Sequence, residues 1–174
     1  MGKVAIVTGA GSGIGKSTSQ TLARSGWTIV AVGRNQSNLD EVVKECGNSS
    51  IAITCDVTDP KAVTELFSKI STQFKHIDLL FNNAGIGTRY ADMDEITPEE
   101  WLAVVNTNLN GAFYCTQHAF GIMKNQNPQG GRIINNGSIA AYAPRPNSAP
   151  YTSTKHAITG LTKSTSLDGR RYNI

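Results

Sequence analysis

A serine, a tyrosine and a lysine near the end of the chain have the types and spacing needed to move a proton to or from a small molecule. Tyr151 and Lys155 stand four residues apart and would share one face of a helix. A positive charge beside a phenol favours the phenolate, which makes a tyrosine a usable proton donor near neutral pH. Ser138 can offer a hydroxyl to the same molecule. The same spacing also occurs on ordinary solvated helices, so the elements that position these residues must decide.

Strands and helices alternate along the chain, which predicts a parallel sheet covered by helices on both faces. The apolar patterns predict strands over residues 3–8, 28–32, 51–55, 77–82 and 132–135, and helices over 14–24, 38–46, 60–74, 98–123 and 151–167. A sixth strand is predicted to begin within Arg171 to Ile174. No linker or repeat divides the 174 residues, so we predict one α/β domain over residues 1–174.

A glycine-rich turn follows the first strand. Thr8 to Gly15 reads TGAGSGIG, with glycines at alternate positions. Such a turn lets the backbone come close to a ligand, and the amides and positive dipole end of the following helix suit a phosphate. We predict that it binds a dinucleotide pyrophosphate, although a tight turn without a ligand stays open. The residues predicted to bind are Gly9, Ser12, Gly13, Ile14 and Gly15.

The same residues permit a second interpretation. Ala10 to Ser17 matches the phosphate-binding loop of nucleotide hydrolases, GxxxxGK followed by serine or threonine, except for the leading alanine. Asp56, after the third strand, could then hold magnesium. A nucleotide hydrolase is therefore an alternative hypothesis at this point.

The end of the second strand bears on which dinucleotide is bound. An acidic residue there would contact the ribose of NAD, whereas a basic residue accommodates the 2′-phosphate of NADP. Gly33 leaves the acidic position empty, and Arg34 supplies a positive charge. NADP(H) is favoured and NAD(H) stays open, because Arg34 could also be an ordinary surface arginine.

Polar residues follow the third and fourth strands, at the sheet edge where ligands of such folds bind. Asp56 and Val57 are predicted to meet the cofactor, with Asp56 either contacting the adenine or capping the next helix. Asn83, Ala84 and Gly85, within the run NNAG, are predicted to approach it through amides and close backbone. Asn106, Asn108 and Asn110 are poor helix formers, so either one serves a buried polar purpose or they bend the helix.

Composition excludes several classes of protein. The net charge of +3 comes without a basic run, and no segment approaches the length of a membrane span, so neither nucleic acid nor membrane is an expected partner. Three widely spaced cysteines and no histidine cluster argue against a disulfide framework or a metal site. With no leader recognised, we expect a cytoplasmic protein with buried thiols.

Taken together, these motifs make the sequence resemble a short-chain dehydrogenase/reductase. They occur in the order and at the spacings of that family and span nearly the whole chain. The motifs are TGxxxGIG at Thr8 to Gly15, NNAG at Asn82 to Gly85, Asn108 in Asn108-Leu-Asn-Gly111, Ser138 in Asn136-Gly-Ser, and Tyr151 to Lys155 as YxxxK. The resemblance implies a Rossmann-type, doubly wound α/β/α fold that binds NAD(P)(H) and interconverts carbonyls and alcohols.

The resemblance also implies roles for the residues. Tyr151 would be the acid/base, Lys155 would assist it and hold the nicotinamide ribose, and Ser138 would stabilise the carbonyl oxygen. Asn108 resembles the member that anchors a water in the proton relay. A homodimer or homotetramer formed through the two long helices is implied as well.

The family usually continues for further strands and a substrate-covering segment. We therefore expect a chain truncated at its C-terminus, and a nucleotide-binding protein with incomplete catalysis is the runner-up hypothesis. The stretches Ile86 to Tyr90 and Ala141 to Asn147, the latter with Arg145, are expected to face the substrate, whose identity the sequence does not reveal.

Overall fold

The computed structural model describes residues 2–47 and 49–174. Five parallel strands form one sheet in the order β3-β2-β1-β4-β5. The strands are β1 (Val4–Thr8), β2 (Thr28–Gly33), β3 (Ile51–Thr54), β4 (Leu79–Asn82) and β5 (Arg132–Asn135). The helices are α1 (Gly13–Arg24), α2 (Gln36–Cys46), α3 (Pro60–Gln73), α4 (Pro98–Val105), α5 (Gly111–Asn125) and α6 (Ala149–Gly169). The predicted Rossmann-type α/β fold is confirmed.

Alternate residues of the central strands face the two layers of helices, as the period of two along a strand requires. Ile6 and Val30 belong to a core shared with α3 and α5. Ala5 and Ile29 belong to a second core, which α2 closes from the opposite side. Every residue of β1 is buried, so the centre of the sheet is shielded from solvent on both faces.

The strand order reverses beside β1. The chain moves outward from β1 through β2 to β3, then crosses back to place β4 on the other side of β1. In open parallel sheets a ligand crevice forms at the carboxyl ends of the strands where the order reverses. The turns after β1 and β4 meet at this point, which brings the glycine turn beside the NNAG run.

The predicted long helix over residues 98–123 is interrupted. A π-helical turn over Asn106–Asn110 separates α4 from α5. The turn lies where asparagines weaken regular helix formation, and its buried Asn108 bonds to the backbone of Ile86 instead. A Cβ at Gly111 would lie 2.7 Å from Val57 Cγ2, so glycine permits close packing where α5 begins.

The prediction of a sixth strand from Arg171 is wrong. Residues Arg170–Tyr172 form a 3-10 turn that continues α6. Tyr172 stacks edge-on against Phe120 at 6.0 Å, and Ile174 packs on the core. These side chains are partly buried by contact with α5 and the core, so they do not require a strand partner. β5 consequently forms the sheet edge, where Ile134 is 45% exposed.

All three cysteines are buried and free, as the sequence predicts. Burial raises the pKa of Cys55 to about 11 and that of Cys115 to about 12, so both thiols stay protonated at neutral pH. In the part of the chain that the structure describes, every helix is too short or too polar to cross a membrane.

Candidate active site

A cavity of about 750 Å³ opens at the carboxyl edge of the sheet and joins the glycine turn to the start of α6. Three of the four predicted catalytic side chains line it, namely Ser138, Tyr151 and Lys155. The predicted cofactor residues that line it are Gly9, Ser12, Gly13, Ile14, Arg34, Asp56, Val57, Asn83, Ala84 and Gly85. Gly15 and Asn108 lie behind its surface. One space therefore contains both sets of motifs.

The glycine turn is shaped by backbone constraints that other residues would violate. Gly9 and Gly13 have φ values of +64° and +51°, a region that favours glycine. A Cβ at Gly15 would lie 2.2 Å from the carbonyl oxygen of Gly9. Gly15 thus contributes by letting α1 pack against the turn, which explains why it does not line the cavity.

The N-terminus of α1 is left without a side-chain cap. Its N-cap, Ser12, makes no capping hydrogen bond, whereas Asn35, Asp59 and Thr97 cap α2, α3 and α4. The first backbone N–H groups of α1 therefore remain available as hydrogen-bond donors beside the cavity. Free amides and a positive helix end fit the pyrophosphate of a dinucleotide.

Lys16 does not occupy the position that a nucleotide hydrolase requires. Its Nζ pairs with Glu45 on α2 at 2.9 Å, and the residue does not line the cavity. In a phosphate-binding loop of that class the lysine reaches the terminal phosphates. The geometry removes the main support for the hydrolase hypothesis.

Arg34 and Asp56 lie at the end of the cavity formed by β2 and β3. Arg34 is exposed and forms no ion pair within the described residues. Asp56 accepts hydrogen bonds at Oδ1 from the amide and hydroxyl of Thr58, at 3.0 and 2.9 Å. The helix-capping alternative for Asp56 is wrong because Asp59 caps α3. Both charged residues line the cavity.

Asn83 joins strand ends as well as lining the cavity. Its Nδ2 donates to the carbonyl oxygens of Thr8 and Gly9 at 3.0 and 3.3 Å, and its Oδ1 accepts from Asn136 at 2.9 Å. Thr8 Oγ1 in turn accepts from the amides of Asn83 and Ala84, both at 3.0 Å. These bonds hold the turns after β1, β4 and β5 in fixed relation.

Tyr151 and Lys155 lie on the first turns of α6, as their spacing predicts. Lys155 Nζ is 5.5 Å from the centroid of the Tyr151 ring and donates to the carbonyl oxygen of Asn136 at 2.7 Å. Only 8% of Lys155 is exposed, and this burial lowers its pKa from the ordinary value. One of its three donors is used, so two remain for the tyrosine or a ligand.

Ser138 keeps its hydroxyl proton available. It follows β5 in an extended conformation, and its Oγ accepts from the amide of Ala140 at 3.1 Å. Because that bond uses a lone pair, the O–H can donate to a ligand in the cavity. Within residues 2–47 and 49–174, the phenol oxygen of Tyr151 makes no hydrogen bond.

Asn108, predicted to anchor a water in the proton relay, lies behind the surface of the cavity. It is 3% exposed, and its amide bonds both backbone groups of Ile86, at 2.8 and 2.9 Å. Its Nδ2 also lies 3.4 Å from Thr154 Oγ1 on α6. The side chain ties the loop after β4 to the helix that carries Tyr151, so its visible contacts are those of a positioning residue.

Several residues that line the cavity were not predicted from the sequence. The most informative is Asn136, whose carbonyl oxygen orients Lys155. It directly follows β5, and polar residues that directly follow parallel strands lie at the ligand-binding edge of the sheet, so this signal could have identified it. The others are Gly11, Gly33, Asn35, Asn38, Leu39, Cys55, Thr107, Ala140 and Ser148.

Similarity to known proteins identifies the family. The family model described as short chain dehydrogenase matches residues 3–174. The chain belongs to this family. A 3beta-hydroxysteroid dehydrogenase of Mediterraneibacter gnavus is 37% identical over 169 residues, covering 95% of this chain and 60% of that protein. A 3-oxoacyl-(acyl-carrier-protein) reductase of Thermotoga maritima is 36% identical over 178 residues, covering 99% and 71%.

Solved structures of the short-chain dehydrogenase family superpose closely. A 3-ketoacyl-(acyl-carrier-protein) reductase from Brucella melitensis complexed with NADH has a TM-score of 0.95 and 31% identity, over 99% of this chain and 72% of that one. A metagenomic short-chain oxidoreductase in complex with NADP has a TM-score of 0.93 and 28% identity, over 98% and 77%. This chain spans 60% of the length of the 3beta-hydroxysteroid dehydrogenase of Mediterraneibacter gnavus.

Proposed function

We propose that this protein is an NAD(P)(H)-dependent oxidoreductase that interconverts a carbonyl and an alcohol. The observation that carries the proposal is the single cavity that contains both the glycine turn and the Ser138, Tyr151 and Lys155 side chains. Relatives in complex with NADH and NADP support the class of cofactor.

The residues present fit a nicotinamide dinucleotide. The uncapped end of α1 and the turn at Gly9 to Gly13 would hold the pyrophosphate, and Asp56 and Val57 would lie beside the adenosine. The free donors of Lys155 would hold the ribose next to the nicotinamide. When bound, the nicotinamide supplies the hydride that reduction of a carbonyl carbon requires and accepts it in the reverse direction.

Tyr151 supplies the proton that balances the hydride. In reduction its phenol O–H protonates the oxygen of the former carbonyl and becomes a phenolate, and in oxidation the phenolate takes the proton back. The ammonium of Lys155, 5.5 Å from the ring centroid, stabilises that phenolate. The Ser138 hydroxyl donates to the same substrate oxygen as negative charge develops on it.

We propose NADP(H) as the preferred cofactor, because Arg34 lies in the cavity without a competing carboxylate partner among the described residues. Assembly as a homodimer or homotetramer and a cytoplasmic location are retained as predictions of the sequence.

A thermal-shift experiment tests the proposal. NADPH, NADH and ATP with magnesium are added separately, since a ligand that binds only the folded protein raises its melting temperature. We expect a shift with NADPH, a smaller one with NADH, and oxidation of NADPH when carbonyl compounds are added. A shift with ATP and magnesium alone would refute the proposal. Stabilisation by NADPH without turnover would favour the nucleotide-binding protein with incomplete catalysis.

A further inference from the structure

A second cavity, of about 500 Å³, meets the catalytic end of the first. Arg145 and Ser148 line both cavities, so these two residues lie at the boundary between the two spaces. Ser148 directly precedes α6, the helix that carries Tyr151. Arg145 therefore borders both the cavity that contains Tyr151 and the second cavity.

Apolar groups form most of the lining of the second cavity. They come from the loop before α4, from the loop before α6 and from the first residue of α6, and they are Ala91, Met93, Ile96, Pro144, Pro146 and Ala149. Asp92 is the one acidic residue among the described lining residues. The cavity thus suits a hydrocarbon portion of a substrate, with Asp92 and Arg145 as its charged lining residues.

The backbone of Arg145 is restrained on both sides. It lies between Pro144 and Pro146, whose rings fix their own φ angles and limit the residue before each of them. The Ser148 hydroxyl donates to the carbonyl oxygen of Arg145 at 2.7 Å. Asn147, with φ of 57°, completes the tight turn. The backbone that carries the guanidinium is therefore restrained where it borders the two cavities.

The acidic residues of the two cavities do not neutralise Arg145. Among the residues that the structure describes, no ion-pairing nitrogen lies within 4.0 Å of Asp92, which accepts from Asn147 Nδ2 at 2.7 Å. Asp56 belongs to the opposite end of the first cavity, after β3. Arg145 and Lys155 thus give the substrate end of the site a positive charge. A guanidinium pairs best with a carboxylate or a phosphate, which it can bind through two parallel hydrogen bonds.

We propose that Arg145 selects substrates that carry an anionic group, a carboxylate or a phosphate ester, near the reacting carbonyl or alcohol, with any apolar extension in the second cavity. This inference rests on the proposed function, since it places the reacting oxygen at Ser138 and Tyr151.

Binding to the full chain in the presence of saturating NADP⁺ tests the inference by calorimetry. The probes are two matched pairs: 3-oxohexanoate with its methyl ester, and dihydroxyacetone phosphate with dihydroxyacetone. We expect at least one anion to bind about tenfold more tightly than its neutral partner, as one charge-assisted contact would give. The pair that shows the preference distinguishes a carboxylate from a phosphate ligand.

Variants then assign the preference to Arg145. Arg145→Gln is expected to bind the anion and its neutral partner equally, while Arg145→Lys retains part of the preference. Arg170→Gln removes an exposed arginine that lines neither cavity and should behave as wild type. The melting temperature and NADP⁺ affinity of Arg145→Gln should be unchanged.

The outcomes separate this inference from the proposed function. Equal binding of each anion and its neutral partner by the wild-type protein, or absence of binding by all four probes, overturns the inference even if carbonyl compounds are reduced. A preference that survives Arg145→Gln overturns it as well. Binding of the anion that depends on Arg145 but leads to no turnover supports the inference and contradicts the proposed function.

Discussion

The two ends of the cavity present different kinds of chemical group, backbone at one end and side chains at the other. The nucleotide end is made of backbone: glycines at positive φ and the free amides at the start of α1. The catalytic end is made of side chains, with Tyr151 and Lys155 on α6 and Ser138 after β5. Adding a side-chain atom to a glycine should therefore impair the nucleotide end, and removing a side-chain atom should impair the catalytic end.

The largest effect is expected at the catalytic end. Tyr151→Phe removes only the phenolic oxygen, so turnover should fall by about 10²- to 10⁴-fold, the usual contribution of general acid catalysis. The affinity for NADPH, measured by fluorescence titration, should stay nearly the same because the ring remains in place. The control is Tyr172→Phe, whose ring stacks on Phe120 outside the cavity. Full turnover by Tyr151→Phe would disprove the catalytic assignment.

The nucleotide end should be broken by one added methyl group. In Gly15→Ala the new Cβ would meet the Gly9 carbonyl oxygen at 2.2 Å, so the turn and α1 must move apart. We expect a loss of about 1–3 kcal/mol in the free energy of unfolding and a marked loss of NADPH affinity. Urea unfolding and titration measure the two effects.

Gly160 offers a matched control for that substitution. It lies exposed on α6, where an added Cβ meets nothing within 4 Å. Gly160→Ala should be neutral or stabilise the protein by about 0.4–1 kcal/mol. If both variants bind NADPH as the wild type does, the nucleotide end does not depend on backbone shape.

Arg34 is the exception at the nucleotide end, since it acts through its side chain. Arg34→Ala should weaken NADPH binding by about tenfold, a modest value because the guanidinium is exposed. NADH binding should be unchanged because NADH lacks the 2′-phosphate. An equal loss for both cofactors would contradict the proposed NADP(H) preference, and Arg170→Gln controls for the loss of a surface charge.

The smallest effect concerns the pH dependence of stability at the catalytic end. Burial lowers the pKa of Lys155 from its ordinary value of 10.5 in the folded protein. Between the lowered value and 10.5 the unfolded chain binds more protons, so Lys155 makes the free energy of unfolding rise with pH in that window.

The variant Lys155→Met has no ammonium at this position, so Lys155 no longer makes its free energy of unfolding rise with pH. The stability of the wild type relative to Lys155→Met should therefore increase as the pH is raised from neutrality toward 10.5, as measured by urea unfolding at a series of pH values. A relative decrease would show that the ammonium is stabilised rather than penalised by its surroundings.

Local patterns were sufficient to predict the sheet and most of the cavity. Alternating strands and helices, the glycine turn and the YxxxK spacing each depend on neighbours in sequence, so they could be read directly. The predictions failed where packing between distant segments decided the outcome. The π turn at Asn106–Asn110 is accompanied by hydrogen bonds from Asn108 to Ile86, and the 3-10 turn at Arg170–Tyr172 packs against α5 through Tyr172.

The sequence by itself determined the types of chemical group and the strand ends on which they lie, because parallel strands present their carboxyl ends at one edge of a sheet. Tertiary structure decided which groups are free. The ammonium of Lys16 pairs with Glu45, and the side-chain amide of Asn108 is hydrogen-bonded to the backbone of Ile86. Within the described residues, the first backbone amides of α1 and the phenol of Tyr151 remain available for hydrogen bonds. A hydrogen bond made across the fold leaves no trace in local spacing, so only the folded chain shows which donors remain for a ligand.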